Sequence, residues 1–192
     1  MSNIVEFHPK NQQDWRKWLE KNHQTEDAVW LIFYKQSSTK ANLTWSEAVD
    51  HSLCYGWIDS IKKTVDSESY KQYFSKRKAN STWSKVNKDK VEKLAADNVM
   101  KDAGFKVIDV AKKNGSWTLL DSVEALILPD LLLQEFKKHE GALAYYKGLS
   151  NSDKKILLSW IALAKRPDTK EKRAIEIAEN AAQNQKPKVF RN

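Results

Sequence analysis

The chain has 192 residues, of which 41% are hydrophobic and 30% charged, with a net charge of +8. This length supports one domain, or one domain with a small appended bundle, and the apolar share is enough for a real core. A single cysteine, Cys54, excludes an internal disulfide and a cysteine-rich metal site; one cysteine beside eight tryptophans fits a reducing compartment.

No apolar run reaches membrane-spanning length, and residues 1–20 carry Pro9, Asp14 and several charges in place of a leader's apolar stretch. A cytoplasmic location and no membrane span are therefore expected. The positive balance admits an anionic partner, nucleic acid included, but the lysines are scattered among acidic residues and form no single run.

In chain order, 4–7 reads as a short strand closed by Pro9. The spacing of Trp15, Trp18 and Leu19 predicts a helix over 11–22. Residues 28–35, rich in β-formers, read as a continuous apolar strand. Thr44-x-x-Glu47 is a capping box for a helix carrying Trp45, Ala48, Val49, Ser52 and Leu53 on one face and ending at Gly56. Strands over 57–65 and 69–78, joined by Asp66-Ser67-Glu68, read as a hairpin. Ser81 or Thr82 is expected to open a helix to about Asp97, with Trp83, Val86, Val91 and Leu94 as its apolar positions. Phe105, Ile108 and Ala111 predict another over 101–114, stopped by Gly115.

Beyond this point only helices are expected. A short one covers 140–146. Ser150-x-x-Asp153 caps the next, which carries Ile156, Leu157, Trp160, Ile161 and Ala164 until Pro167 breaks it. Asp168-x-x-Glu171 is read as the cap of the last helix, with Ala174, Ile175, Ala178, Ala181 and Ala182 facing inward. Residues 184–192 have no period and read as a frayed end. The fold class is α+β: a small antiparallel sheet with packed helices in the N-terminal half and a helical bundle in the C-terminal half. The expected regions are 1–115, a helical region 116–184 packed on it, and a flexible tail 185–192.

Three blocks carry a family resemblance: Leu53-Cys54-Tyr55-Gly56-Trp57-Ile58-Asp59; then Lys78, Ser81, Trp83, Ser84 and Asn87; then Ile161 through Lys165 with Thr169, Arg173 and Ile175. In this order, over roughly 5–182, the chain resembles the YdeI/OmpD-associated, or bacteriocin-protection, family. It departs from that pattern at Lys170, where arginine is usual, and at Ala174, displaced by one residue. The resemblance implies a bacterial stress or antimicrobial-peptide protection role and no particular chemistry.

The residues themselves suggest one site. On a strand Trp57 and Asp59 share one face and Ile58 and Ser60 the other, so a tryptophan beside a carboxylate offers a pocket wall with a polar handle. Alternatively, Trp57 is core and Asp59 a structural ion-pair partner. Lys76, Arg77 and Lys78 precede a helix start with Ser81, Thr82 and Ser84, an arrangement suited to a phosphate or carboxylate, or simply a capped helix with a solvated basic approach. The expected ligand-binding set is Trp57, Asp59, Ser60, Arg77, Lys78, Ser81, Trp83, Ser84 and Asn87, taking an anionic or amphipathic small molecule between Trp57 and Trp83 with Arg77 as anchor. Lys165-Arg166 with Lys170, Lys172 and Arg173 resembles a phosphate-binding strip, but Lys165 and Arg166 complement the dipole at a helix C-terminus, and that structural reading is preferred.

Enzyme signatures are sparse. His8, His23, His51 and His139 have no metal-ligand spacing, and no glycine-rich phosphate loop, dinucleotide pattern or nucleophile elbow occurs, so no cofactor, metal or catalytic residue is assigned. His51 and Cys54 stand three apart on a predicted helix, but the thiol falls on its apolar face and reads as inert. Nucleic-acid or anionic-surface binding is the first alternative function. An enzyme using Asp59 as general base is the second.

Overall fold

The computed structural model describes residues 4–35, 37–40 and 43–190. The fold is α+β, with a four-stranded sheet and helices in the N-terminal half and helices alone in the C-terminal half. The chain divides into two compact units, Met1–Trp117 and Thr118–Asn192, each with its own hydrophobic core.

In the first unit the order is β1 (Glu6–Phe7), α1 (Gln12–Asn22), β2 (Ala28–Tyr34), α2 (Trp45–Cys54), β3 (Trp57–Thr64), β4 (Ser69–Lys76), α3 (Lys85–Ala96) and α4 (Asp102–Lys113). The spatial strand order is β1-β2-β4-β3. β2 and β3 both run antiparallel to β4, as the expected hairpin requires, while β1 joins β2 in parallel, so the sheet is mixed and not purely antiparallel. A register shift between Asp59 and Lys62 bends β3.

Alternation along β2 buries Val29, Leu31 and Phe33 on one face. With Phe74 and Trp57 they form the floor on which α1 and α2 pack. Trp15 meets Phe74 edge-on at 5.6 Å, Trp18 meets Trp57 edge-on at 5.8 Å, and the Trp15 indole N–H donates to the Ala48 carbonyl at 3.1 Å. The capping box forms as read: Thr44 accepts from the Glu47 N–H, and the Glu47 carboxylate accepts from the Thr44 N–H. Two expectations move here. α3 is capped by Ser84 and not by Ser81 or Thr82, because Ser84 accepts from Asn87 N–H, which leaves Trp83 outside the helix and Val86 on its exposed side. Phe105 lies on the solvent side of α4, where Ile108 and Ala111 face inward.

The second unit contains α5 (Asp121–Glu124), α6 (Asp130–Lys138), α7 (Ala142–Gly148), α8 (Asn151–Ala162), α9 (Pro167–Ala182) and a 3-10 turn, Lys188–Phe190. No strand occurs among its described residues. Ser150 caps α8 through the Asp153 N–H. Pro167, expected only as a breaker, is the first residue of α9, where its missing N–H costs nothing; Arg166 precedes it and Asp168 sits inside the first turn. α9 therefore buries Ala174, Ile177, Ala178 and Ala181, and Ile175 is 38% exposed, a turn-phase correction to the inward set. Residues 185–190, read as frayed, are tied back: Lys186 pairs with Asp153 at 3.0 Å, Lys188 with Glu176 at 2.7 Å, and Val189 and Phe190 pack on the core. Among the described residues no helix is long and apolar enough to cross a membrane.

Candidate functional site

Three chain segments meet where α2 ends. Gly56 turns the chain from α2 into β3 with φ +75°, a conformation that favours glycine. Its carbonyl accepts from the Arg77 N–H at 2.9 Å, just past the end of β4. The Cys54 carbonyl accepts from the Lys101 N–H at 3.1 Å, at the start of α4. Gly104 makes the close approach of α4 possible, since a Cβ there would lie 2.5 Å from the Cys54 oxygen and 2.8 Å from that of Leu53. Between these segments and the end of α1 opens a cleft of about 870 Å³.

Four cationic residues, Lys76, Arg77, Lys101 and Lys106, and two acidic ones, Glu20 and Asp102, line the cleft. Lys76 is engaged by Asp27 at 2.9 Å and by the Gln24 carbonyl, and Lys101 lies 3.9 Å from Glu20. No side chain caps the first turn of α4, whose Lys101, Asp102 and Ala103 form one wall. The positive end of a helix thus adds to the cations. Met100 and Val107 supply apolar surface, and Tyr55 lies between His23, 5.0 Å away ring to ring, and the Arg16 guanidinium.

Arg77 is the most unusual group here. It is only 8% exposed, its guanidinium stacks 3.6 Å over the Trp83 ring, and Nη1 donates to the Thr82 carbonyl at 3.1 Å. Nε has no hydrogen-bond partner, and no carboxylate pairs with the side chain among the described residues. Burial pulls its pKa down to about 10, opposed by the charge of Asp59. A buried cation without an ion pair is costly, and the more distant Asp59 charge and the cation–π contact return only part of that cost. The Tyr55 hydroxyl is a second buried polar group without a partner.

The residues expected to form a site are therefore redistributed. Trp57 and Trp83 are 0% and 1% exposed and belong to the core, so neither is a ligand wall; Trp83 instead supports Arg77 from beneath. Asp59 keeps Trp57's face, and its Oδ2 accepts from the Trp45 indole at 2.9 Å and the Gln72 amide at 3.0 Å. That engagement gives Asp59 a structural role that a general base would have to give up. Ser60 is exposed and its carbonyl accepts from Gln72. Lys78 is exposed, its carbonyl accepting from Ser81 N–H in the turn, and Ser84 and Asn87 make the α3 cap. Of the nine, Arg77 alone lines the cleft. Sequence reasoning missed Tyr55, Lys101 and Lys106; the visible signal was Gly104, a glycine inside a predicted helix, which marks a close backbone approach.

His51 is hydrogen-bonded to Arg16 at 3.3 Å and Gln12 at 3.4 Å, and Cys54 is fully buried with its thiol pKa pushed up by burial. Among the described residues no group of three or more His, Cys, Asp or Glu side chains could hold a metal ion.

Comparison with known proteins gives two family matches. Residues 125–184 match the family described as bacteriocin-protection, YdeI or OmpD-associated, the one the sequence resembles. The glycine–tryptophan block at 53–59 and the block at 78–87 fall instead in a second match, over 7–107, to a family described as a domain of unknown function, DUF8412. No match is found among the curated proteins or the solved structures. The match over 7–107 covers more than half of the chain, so this protein belongs to the DUF8412 family, with the bacteriocin-protection resemblance carried by residues 125–184.

Proposed function

We propose that the first unit is a binding module for a small polyvalent anion, held in the cleft by Arg77, Lys101, Lys106 and the start of α4. The observation that carries this is Arg77, a residue lining a cleft with excess positive charge, whose buried guanidinium has an unpartnered Nε and no ion-paired carboxylate among the described residues, Asp59 acting on it only through its charge. An incoming phosphate or carboxylate supplies the missing counter-charge, and charge-assisted hydrogen bonds are the strong ones. Met100 and Val107 leave room for an apolar portion, so a phosphorylated or carboxylated metabolite suits the cleft better than a bare ion. The description of the family matched at 125–184 supports a protective role for the whole chain, in which ligand binding acts on the cell's side of the stress.

The test is a thermal-shift panel of phosphate- and carboxylate-bearing metabolites, each with its uncharged counterpart, because a ligand that binds only the folded form raises Tm. Several degrees of stabilisation by anions and none by the neutral partners supports the reading. Equal shifts, or none, reject it.

A second reading, single-stranded nucleic acid, has one observation of its own. On the sheet face opposite the core, Trp30 meets Tyr73 edge-on at 5.1 Å, with the Lys63 and Lys71 ammonium groups each 5.2 Å from its ring. Aromatic rings with flanking cations can stack bases. Lys71 is also ion-paired with Glu6, which reduces the free positive charge there. Salt-dependent binding of a labelled oligonucleotide, lost in Trp30→Ala, would favour it over the cleft.

A further inference from the structure

The second unit has a groove of a different chemistry. It measures about 260 Å³ and is walled by Leu119, Val123, Ile127, Leu131, Leu158 and Ile161, with Ala162 and Pro129 completing the apolar surface. Its polar contributors are Ser122 and one charged residue, Lys170, the fourth residue of α9. Lys170 makes no ion pair among the described residues. The residue is partly buried.

An unusual turn borders the groove, with Ser122, Val123 and Ile127 among its lining residues. Leu126 has φ 56°, a region that L residues rarely adopt and where a glycine is usual after a helix. The turn is closed by the Leu126 N–H to the Val123 carbonyl and the Ile127 N–H to the Ser122 carbonyl at 2.8 Å. Leu126 packs on the core, and Ile127 is left 59% exposed on the rim, with Leu119 41% exposed. Large apolar side chains exposed together around a concave apolar surface mark a binding site more than an ordinary surface.

We propose that this groove binds the alkyl chain of a monocarboxylic acid, with Lys170 pairing with the carboxylate. The chain replaces water against the leucine and isoleucine walls, and the headgroup meets the single cation. The start of α9, whose first-turn N–H groups no side chain caps, adds positive potential beside Lys170. The ligand class differs from that of the first unit's cleft, and the two proposals stand or fall separately.

The experiment uses the full chain and three probes: decanoate below its micelle concentration, decanol, and acetate. Calorimetric titration is expected to show decanoate binding, decanol at least tenfold weaker, and acetate not at all. Lys170→Gln should remove roughly the whole tenfold advantage of decanoate, the scale of one charge-assisted contact. Ala162→Phe, which fills the groove, should abolish both bound probes while circular dichroism keeps the parent spectrum. Decanoate binding that survives Ala162→Phe, or that Lys170→Gln leaves unchanged, overturns the proposal. So does a concentration-dependent dimer that Ala162→Phe dissolves, which assigns the groove to a second copy of the chain.

Discussion

The two units solve the packing problem with different residues. The first buries tryptophan and phenylalanine between a sheet and two helices, Trp15, Trp57, Trp83, Phe33 and Phe74 among them. The second packs helices through small and aliphatic side chains, chiefly Ala142, Ala174, Ala178, Leu132, Leu157 and Ile177. Large flat rings leave gaps at their edges that polar groups can enter, as Arg77 does over Trp83. Alanine-lined contacts bring helices close and leave apolar grooves between them. The cleft beside Arg77 in the first unit is lined by four cationic residues, and the groove of the second unit is apolar with one lysine.

Truncating a tryptophan measures this contrast most strongly. Trp57→Ala should lower stability by about 3–5 kcal/mol in denaturant melts, the usual cost of emptying a buried aromatic site. Trp160, only partly buried and covered by the Arg173 guanidinium at 5.1 Å, should cost about 1–2 kcal/mol when changed to alanine. Equal costs would erase the distinction between an aromatic core and a helical one. The glycines give a smaller but opposed pair. Gly104→Ala drives a Cβ into the Leu53 and Cys54 carbonyls and should destabilise by about 1–3 kcal/mol. At Gly148 a Cβ meets nothing within 4 Å, so Gly148→Ala should be neutral or stabilising by up to about 1 kcal/mol.

Two titratable groups of the first unit sharpen the picture further. Burial holds the Cys54 thiol above its ordinary pKa. At pH 8 it stays protonated in the folded protein, and a thiol-specific reagent should label it only at the rate of unfolding. Rapid labelling without denaturant would show that α2 opens locally. Burial first, and the charge of Arg16 second, lower the pKa of His51 below 6.5. Between its folded value and 6.5 the unfolded chain binds more protons, so stability rises with pH across that window. The contribution is full above 6.5 and is lost as pH falls through the folded value. His51→Gln should flatten the slope of stability against pH between 7 and 5; an unchanged slope would assign it to other groups.

Much of the element layout was legible because it rests on local chemistry. The Thr44–Glu47 box, the β2 run and the hairpin around Asp66 are determined within a few residues of themselves. The sites where expectation and structure part depend on distant partners. Which hydroxyl caps α3 depends on how Trp83 reaches the core, and whether Ile175 or Ile177 faces inward depends on where Pro167 sets the start of α9. Arg77 stood out from its cationic context and its closeness to a helix start. Its partners did not: Tyr55, Lys101 and Lys106 reach the cleft only because Gly104 lets α4 rest on the end of α2, a contact between residues about 50 apart in the chain. Trp57 and Trp83 drew attention as aromatic residues beside charges, and burial gave them to the core instead.

The central claim is that positive charge is focused at one cleft, and pyrophosphate titrated into three proteins by calorimetry tests it directly. Lys101→Glu/Lys106→Glu reverses two exposed cations of the cleft, and Lys137→Glu/Lys172→Glu reverses two exposed cations of the second unit, with the same change in net charge. The parent and the Lys137/Lys172 variant should bind pyrophosphate alike, and the Lys101/Lys106 variant at least tenfold more weakly, since each lost charge-assisted contact costs on the order of 1.5–3 kcal/mol. If both variants weaken equally, the anion is held by the overall charge of the protein and not by the cleft beside Arg77, and the account is wrong.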